Sequence, residues 1–243
     1  MTNTTTDGFE DLAHALRVLL EAYIRAHGGG LLQVDRAEAV GNIEMGLTNV
    51  LNAFHSLYDA LRKDGQPNLV SWYSEPELAT LLVLRNARHH NHARKVRTIY
   101  SYYSQTAKEV GSMEMYVLLD FPALEPGADT FDVYLSWADF KELLSLPPSE
   151  TRIRPQLASQ IEAYVGSVHF KDYAANYDLS EDRVFFNVIP LIVNAAVKLV
   201  PTIKHLVSPR SMESETYLRV FQQVLPADTA KPEINCGPIT LMP

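Results

Sequence analysis

The chain has 243 residues, 47% of them apolar and 21% charged, with a formal net charge of −8. That length and composition suit a folded protein with a sizeable core and exclude a low-complexity or unfolded chain. The one cysteine, Cys236, excludes an internal disulfide framework and a cysteine-based zinc site.

The start, MTNTTTDGFEDLAHAL, has no basic stretch followed by an apolar run, so no signal peptide is expected and a cytoplasmic location follows. Phe9 to His27 carries Leu12, Leu16, Leu19, Leu20 and Tyr23 at helical spacing, and HGGG at 27–30 ends that helix. A second helix is expected from Asp35 to Lys63, followed by the breaker KDGQPN. Ser74 reads as an N-cap with Glu77 as its capping-box partner and Pro76 in the first turn, opening a third helix from Glu75 to Val110.

Beyond Gly111, MEMYVLLDF and FDVYLSW flank PALEPGADT, a pattern that predicts a β-hairpin near 113–137 with a turn-rich loop. Ser136 then starts a short helix that stops before Pro147 and Pro148, and RPQLASQIEAYVGSV predicts another with Pro155 in its first turn. Ser180 is expected to cap a long apolar helix, EDRVFFNVIPLIVNAAVKLVPTIKHLV. Its most apolar part, 184–200, includes Asn187, Pro190, Asn194 and Lys198. It falls short of the roughly 20 apolar residues of a membrane span, so a core helix is expected, and no membrane partner. The tail from Pro226 reads as extended. The expected fold class is mainly α: a helical bundle over 9–110, then a hairpin and helices over 111–225 on the same core in one composite domain, and an extended tail over 226–243.

Charge is distributed unevenly. Residues 1–84 carry a net −6, residues 85–110 a net +5 and residues 111–243 a net −7. The basic segment contains LRNARHHNHARKVRT, with three histidines within four positions, five Lys or Arg and no acid. If the third helix is continuous, Arg85, His89 and His92 share the face of Leu78, Leu82, Val96, Ile99 and Tyr103, and His90 lies at its flank with Asn86 and Arg97. Groups of this kind are not buried without polar partners.

Three chemistries fit such a cluster. It is satisfied structurally; or it holds a metal, against which the absence of HExxH and the flanking Arg85 and Arg88 argue, so no metal or other cofactor is expected; or it cuts RNA. Metal-free RNA cleavage needs a base for the 2′-OH, an acid for the leaving 5′-oxygen and a donor fork for the phosphate, roles that histidine and arginine fill. Arg94, Lys95 and Arg97 would hold neighbouring phosphates, and Tyr100, Tyr102 and Tyr103 are candidates for stacking on bases, with Tyr100 and Tyr103 looking more like core.

RNARHH, Arg85 to His90, resembles the signature of the HEPN superfamily, an arginine and a histidine separated by four to six residues with a polar residue after the arginine. The likeness spans about residues 9–110 and is reminiscent of the abortive-infection branch. It implies a helical bundle, a homodimer in which two motifs face each other, and a metal-independent RNase of toxin–antitoxin or antiviral defence systems with an antitoxin or regulator as partner. Carried over, Arg85 is the motif arginine and Asn86 the polar position. His90 and His92 both satisfy the spacing: the family's usual form prefers His90 and helical geometry prefers His92. His89 and Arg88 are supporting. Two other readings stay open: a non-catalytic module of this type binding RNA, nucleotide or protein, and a structural or regulatory helical protein with a buried polar cluster.

Overall fold

A computed structural model describes residues 3–89, 96–106, 114–124, 131–151 and 153–238. The helices, in chain order, are α1 (Thr4–His27), α2 (Leu31–Val34), α3 (Arg36–Lys63), α4 (Pro76–His89), α5 (Ile99–Thr106) and α6 (Trp137–Ser145). They continue with α7 (Pro148–Thr151), α8 (Pro155–Tyr164), α9 (Phe170–Ala175), α10 (Ile189–Ile203) and α11 (Met212–Val220). The strands are β1 (Met115–Asp120), β2 (Tyr134–Ser136), β3 (Val184–Asn187) and β4 (Glu233–Pro238). The protein is mainly α with a small mixed sheet. It divides into two compact units, Met1–Arg85 with Val193–Pro226, and Asn86–Ile192 with Ala227–Pro243.

In the first unit α1 and α3 pack side by side. Phe9, Leu12 and Leu19 of α1 and Leu47, Val50, Leu51, Phe54 and Leu57 of α3 are all fully buried. Each helix takes its start from a side-chain cap, Asn3 accepting from the Thr6 amide and Asp35 from the Glu38 amide. Asn3 moves the first helix's start five residues ahead of Phe9. The pair runs close: a Cβ on Gly46 would stand 3.0 Å from the Cα of Leu19, which is why this position carries no side chain. Asp64, at the end of α3, accepts hydrogen bonds from the backbone and hydroxyl groups of both Thr4 and Thr5 and so ties the two helix ends together. The α11 segment is fastened to α1 by the Arg210–Asp7 and Arg17–Glu213 ion pairs and by Glu10, which accepts from the Ser214 hydroxyl at 2.6 Å.

In the second unit the strand order is β2-β3-β1-β4, with β1 parallel to β3 and both outer strands antiparallel to their neighbours. The expected hairpin does not form, because β3 lies between β1 and β2. The strand comes from VFFN, which was expected to be helical. All four residues are buried, as a central strand covered on both faces requires, and such a run has no alternation to betray it. Pro190 decides the boundary: with no N–H it sits comfortably only in a first turn, and α10 begins one residue before it. Beyond Pro226 the described residues turn at Thr229 and Ala230 and then supply β4, which pairs along the whole of β1.

The third helix is also interrupted. The α4 helix begins at Pro76, with the Ala79 amide on the Glu75 carbonyl, so the cap position is Glu75 rather than Ser74. It is buried nearly all round from Leu78 to Leu84, as expected of a central helix. Val96 and Arg97 are not helical, and Thr98 makes an antiparallel bridge to Leu135. The Thr98 hydroxyl then accepts from the Ser101 amide and starts α5. One helical face from Leu78 to Tyr103 therefore does not exist, and His92 itself lies outside the described residues. Among the described residues one stretch, Ile189–Leu206, is long and apolar enough to cross a membrane, but more than half of it is buried inside the protein.

Candidate functional site

The opening arginine of the basic stretch closes the first unit. Arg85 is half-buried, and its Nε donates to Asn52 Oδ1 of α3 at 3.3 Å. Asn52 begins a polar strip on α3: Asn52, His55, Tyr58, Asp59 and Arg62 fall within about a third of a turn around the axis. His55 lies 3.5 Å from Asp59, and Arg62 stands over the Tyr58 ring at 5.6 Å.

Two aromatic residues before α4 complete this neighbourhood. The turn at Ser71 receives the amides of Ser74 and Glu75. It sets Trp72 into the core and leaves Tyr73 at the surface. Both rings meet Tyr58 edge-on, at 5.4 and 6.4 Å between centroids. Burial, then the neighbouring Tyr58, pushes the Tyr73 phenol up, and the Arg85 charge opposes the rise.

Asn86, half-buried, opens the second unit. Arg88 and His89 belong to α4, with side chains outside the described residues. His90, His92, Arg94 and Lys95 lie wholly outside them. Arg97 is described, and its task differs from the expected hold on phosphate. Its Nε and Nη2 donate to the two oxygens of Asp139 at 2.7 and 2.6 Å, and its amide adds a third bond at 3.0 Å. The guanidinium also lies 4.6 Å from the Tyr102 ring centre. That is the setting of a structural ion pair, and Arg97 leaves the RNA-binding set.

Of the tyrosines of α5, Tyr102 is buried and Tyr100 and Tyr103 are partly buried. Tyr102 is buried against Tyr116 and Phe185, its hydroxyl donating to Asp182, and Tyr100 and Tyr103 pack on the same cluster. The aromatic cluster on the polar strip of α3 is instead Tyr58, Trp72 and Tyr73, which sequence reasoning passed over. The usable signal was the spacing of Asn52, His55, Asp59 and Arg62 along a helix whose other face is apolar.

A second polar cluster sits where the parallel strands β1 and β3 end. Asn187, fully buried, donates to Asp120 and Asp132 at 2.8 and 2.9 Å and accepts from the amides of Val133 and Ile189. Every bond its amide can make is used, so the residue is a fastener for three segments. Burial, then the Asp120 charge, pushes the Asp132 carboxyl up to about 6, with hydrogen bonds from Tyr134 and Asn187 opposing. The folded protein thus keeps this proton to higher pH than the unfolded chain, whose carboxyl titrates near ~3.9. Stability from this group is present below about pH 4 and is lost as pH rises through about 6. Asp132→Asn is therefore expected to stabilise by about 1–2 kcal/mol at neutral pH and by very little at pH ~4. Urea unfolding at both pH values checks this, and an equal gain at each would show that the charge is not the cause.

Among the described residues no group of three or more His, Cys, Asp or Glu side chains is arranged to hold a metal ion. No protein family, no curated protein and no solved structure matches the chain.

Proposed function

We propose that the protein is a HEPN-like, metal-independent RNA endonuclease of a defence or toxin-type system, acting in the cytoplasm as a homodimer of helical bundles. In this reading Arg85 stabilises the phosphate in the transition state, Asn86 orients the reacting groups, and His90 or His92 moves the proton. The 2′-oxygen attacks the adjacent phosphorus as an imidazole takes its proton, and the bond to the 5′-oxygen breaks as that oxygen is protonated. The products are a 2′,3′-cyclic phosphate and a 5′-hydroxyl. The observation that carries the reading is the setting of Arg85. It is the first residue of RNARHH, half-buried at the end of a buried helix, and Asn52 fixes its guanidinium from the Nε side. A preoriented planar fork of this kind suits a phosphate whose charge grows during reaction.

Cleavage of mixed RNAs by the purified protein in EDTA is the direct test, with His90→Ala and His92→Ala alongside. The expected result is cleavage by the wild type that falls by about 100-fold or more in one of the two folded variants, which identifies the proton-transfer residue. Cleavage that survives both substitutions, or that requires a divalent cation, overturns the reading. A binding module without catalysis is the second reading. It is favoured by the exposed aromatic ring of Tyr73 packed on α3, the helix that also holds Arg85, which suits holding RNA whether or not it is cut.

A further inference from the structure

The strip on α3 and the turn before α4 share one property that a phosphate-holding arginine does not explain. Tyr73 leaves 52% of its surface exposed although it belongs to an aromatic cluster. Its edge-on contact with Tyr58 supports one side of the ring, and Tyr58 is itself steadied by Trp72 and by Arg62. The backbone beneath it is held by the two amides on the Ser71 carbonyl. An aromatic ring held this firmly yet open to solvent has little conformational entropy left to lose when a flat ligand covers it.

We propose that Tyr73 is a stacking platform for one unpaired nucleobase of a single-stranded RNA whose adjacent phosphate is held by Arg85. The inference rests on the reading of Arg85 as a phosphate-binding residue. Two observations join the platform to that phosphate. Tyr73 and Arg85 both rest on the Asn52–Arg62 strip of α3, Tyr73 edge-on to Tyr58 and Arg85 on Asn52, and the Arg85 charge is among those that act on the Tyr73 phenol. A base inside a duplex already has both faces stacked, so a platform of this kind selects unpaired strands, loops or bulges. It is indifferent to sequence, because every base offers a π-face. The substrate class would be single-stranded RNA with weak sequence preference, and specificity would come from strand structure.

The probe is a short fluorescein-labelled 2′-O-methyl oligoribonucleotide of mixed sequence, which has no 2′-hydroxyl nucleophile and so reports binding alone. It is titrated single-stranded and annealed to its complement, in EDTA, against the full chain and against Tyr73→Ala, Tyr73→Phe and Tyr73→Trp, each checked for folding. Tyr177→Ala, an exposed tyrosine elsewhere, serves as the control. Tyr73→Ala is expected to weaken single-strand binding by about 5- to 100-fold, with Phe and Trp close to wild type and the duplex little affected. Single-strand affinity unchanged in Tyr73→Ala, or as poor in Tyr73→Phe as in Tyr73→Ala, overturns the proposal, and so does a wild type that binds no single strand. The two readings fail separately. Tyr73-dependent binding without cleavage of ordinary RNA removes the nuclease and keeps the platform. Cleavage with Tyr73-independent binding keeps the nuclease and removes the platform.

Discussion

Alanine at position 139 is expected to destabilise the protein by about 3 kcal/mol, among the largest effects available from one substitution outside the apolar core. The carboxylate of Asp139 is almost fully buried and accepts three hydrogen bonds from Arg97, two from the guanidinium and one from its amide. It also stands in the first turn of α6, whose cap is the Ser136 hydroxyl, where a negative charge is favoured by the helix dipole. Its removal leaves the Arg97 guanidinium charged, largely out of water and facing the Tyr102 ring without its counter-ion. Breaking one half of such a pair costs far more than removing both halves. The double variant Arg97→Leu/Asp139→Leu is therefore expected to recover much of the loss, and urea unfolding of the two single variants and the double one measures the coupling. A loss well under 1 kcal/mol in Asp139→Ala would show that Arg97 is not committed to this pair, and would return it to the phosphate-binding set.

The largest expected effect on activity is at Arg85. Arg85→Ala should lower RNA cleavage by about 100- to 1000-fold, the usual consequence of removing one preorganised donor to a developing charge. The folded state should lose about 1 kcal/mol for the bond to Asn52, a small cost beside the loss of activity. Lysine is not expected to rescue it, because an ammonium cannot present a planar fork. Asn52 acts through Arg85 and is a positioning residue. Asn52→Ala should lower kcat more than it raises KM and should have no further effect in the Arg85→Ala background. Wild-type rates in folded Arg85→Ala would end the nuclease reading.

How much was legible in the sequence depended on what fixes each element. The α3 helix was legible to within a residue, because Asp35 caps it, apolar positions repeat along it and KDGQPN stops it. The α6 and α8 helices were legible for the same kind of reason, through Ser136 and Pro155. The sheet was not. Its central strand VFFN is uniformly apolar and runs straight into an apolar helix, and only Pro190 marked the join. Strand partners more than 60 residues apart leave no local trace: Val117 pairs with Val184 on one side and with Cys236 on the other. For the candidate site, charge clustering pointed to Arg85 but could not supply Asn52, which is brought to it by packing across 33 residues of sequence. Arg97 misled because a bidentate structural pair and a phosphate clamp use the same side chain. Only the position of Asp139, 42 residues later, tells them apart.

The order in which the chain is made matters for the sheet. The edge of β1 that β4 covers is synthesised more than a hundred residues before β4 exists. Until the ribosome has passed residue 238, that edge carries a row of unpaired amides and carbonyls, the kind of surface on which nascent chains pair wrongly with one another. Each compact unit is likewise assembled from an early and a late stretch of chain, so the first is whole only once residue 226 has been made and the second only with the stretch that follows. Any fragment that carries one unit whole also carries a piece of the other, and a stalled translation product would expose β1 to holdase chaperones and to neighbouring copies on the same message.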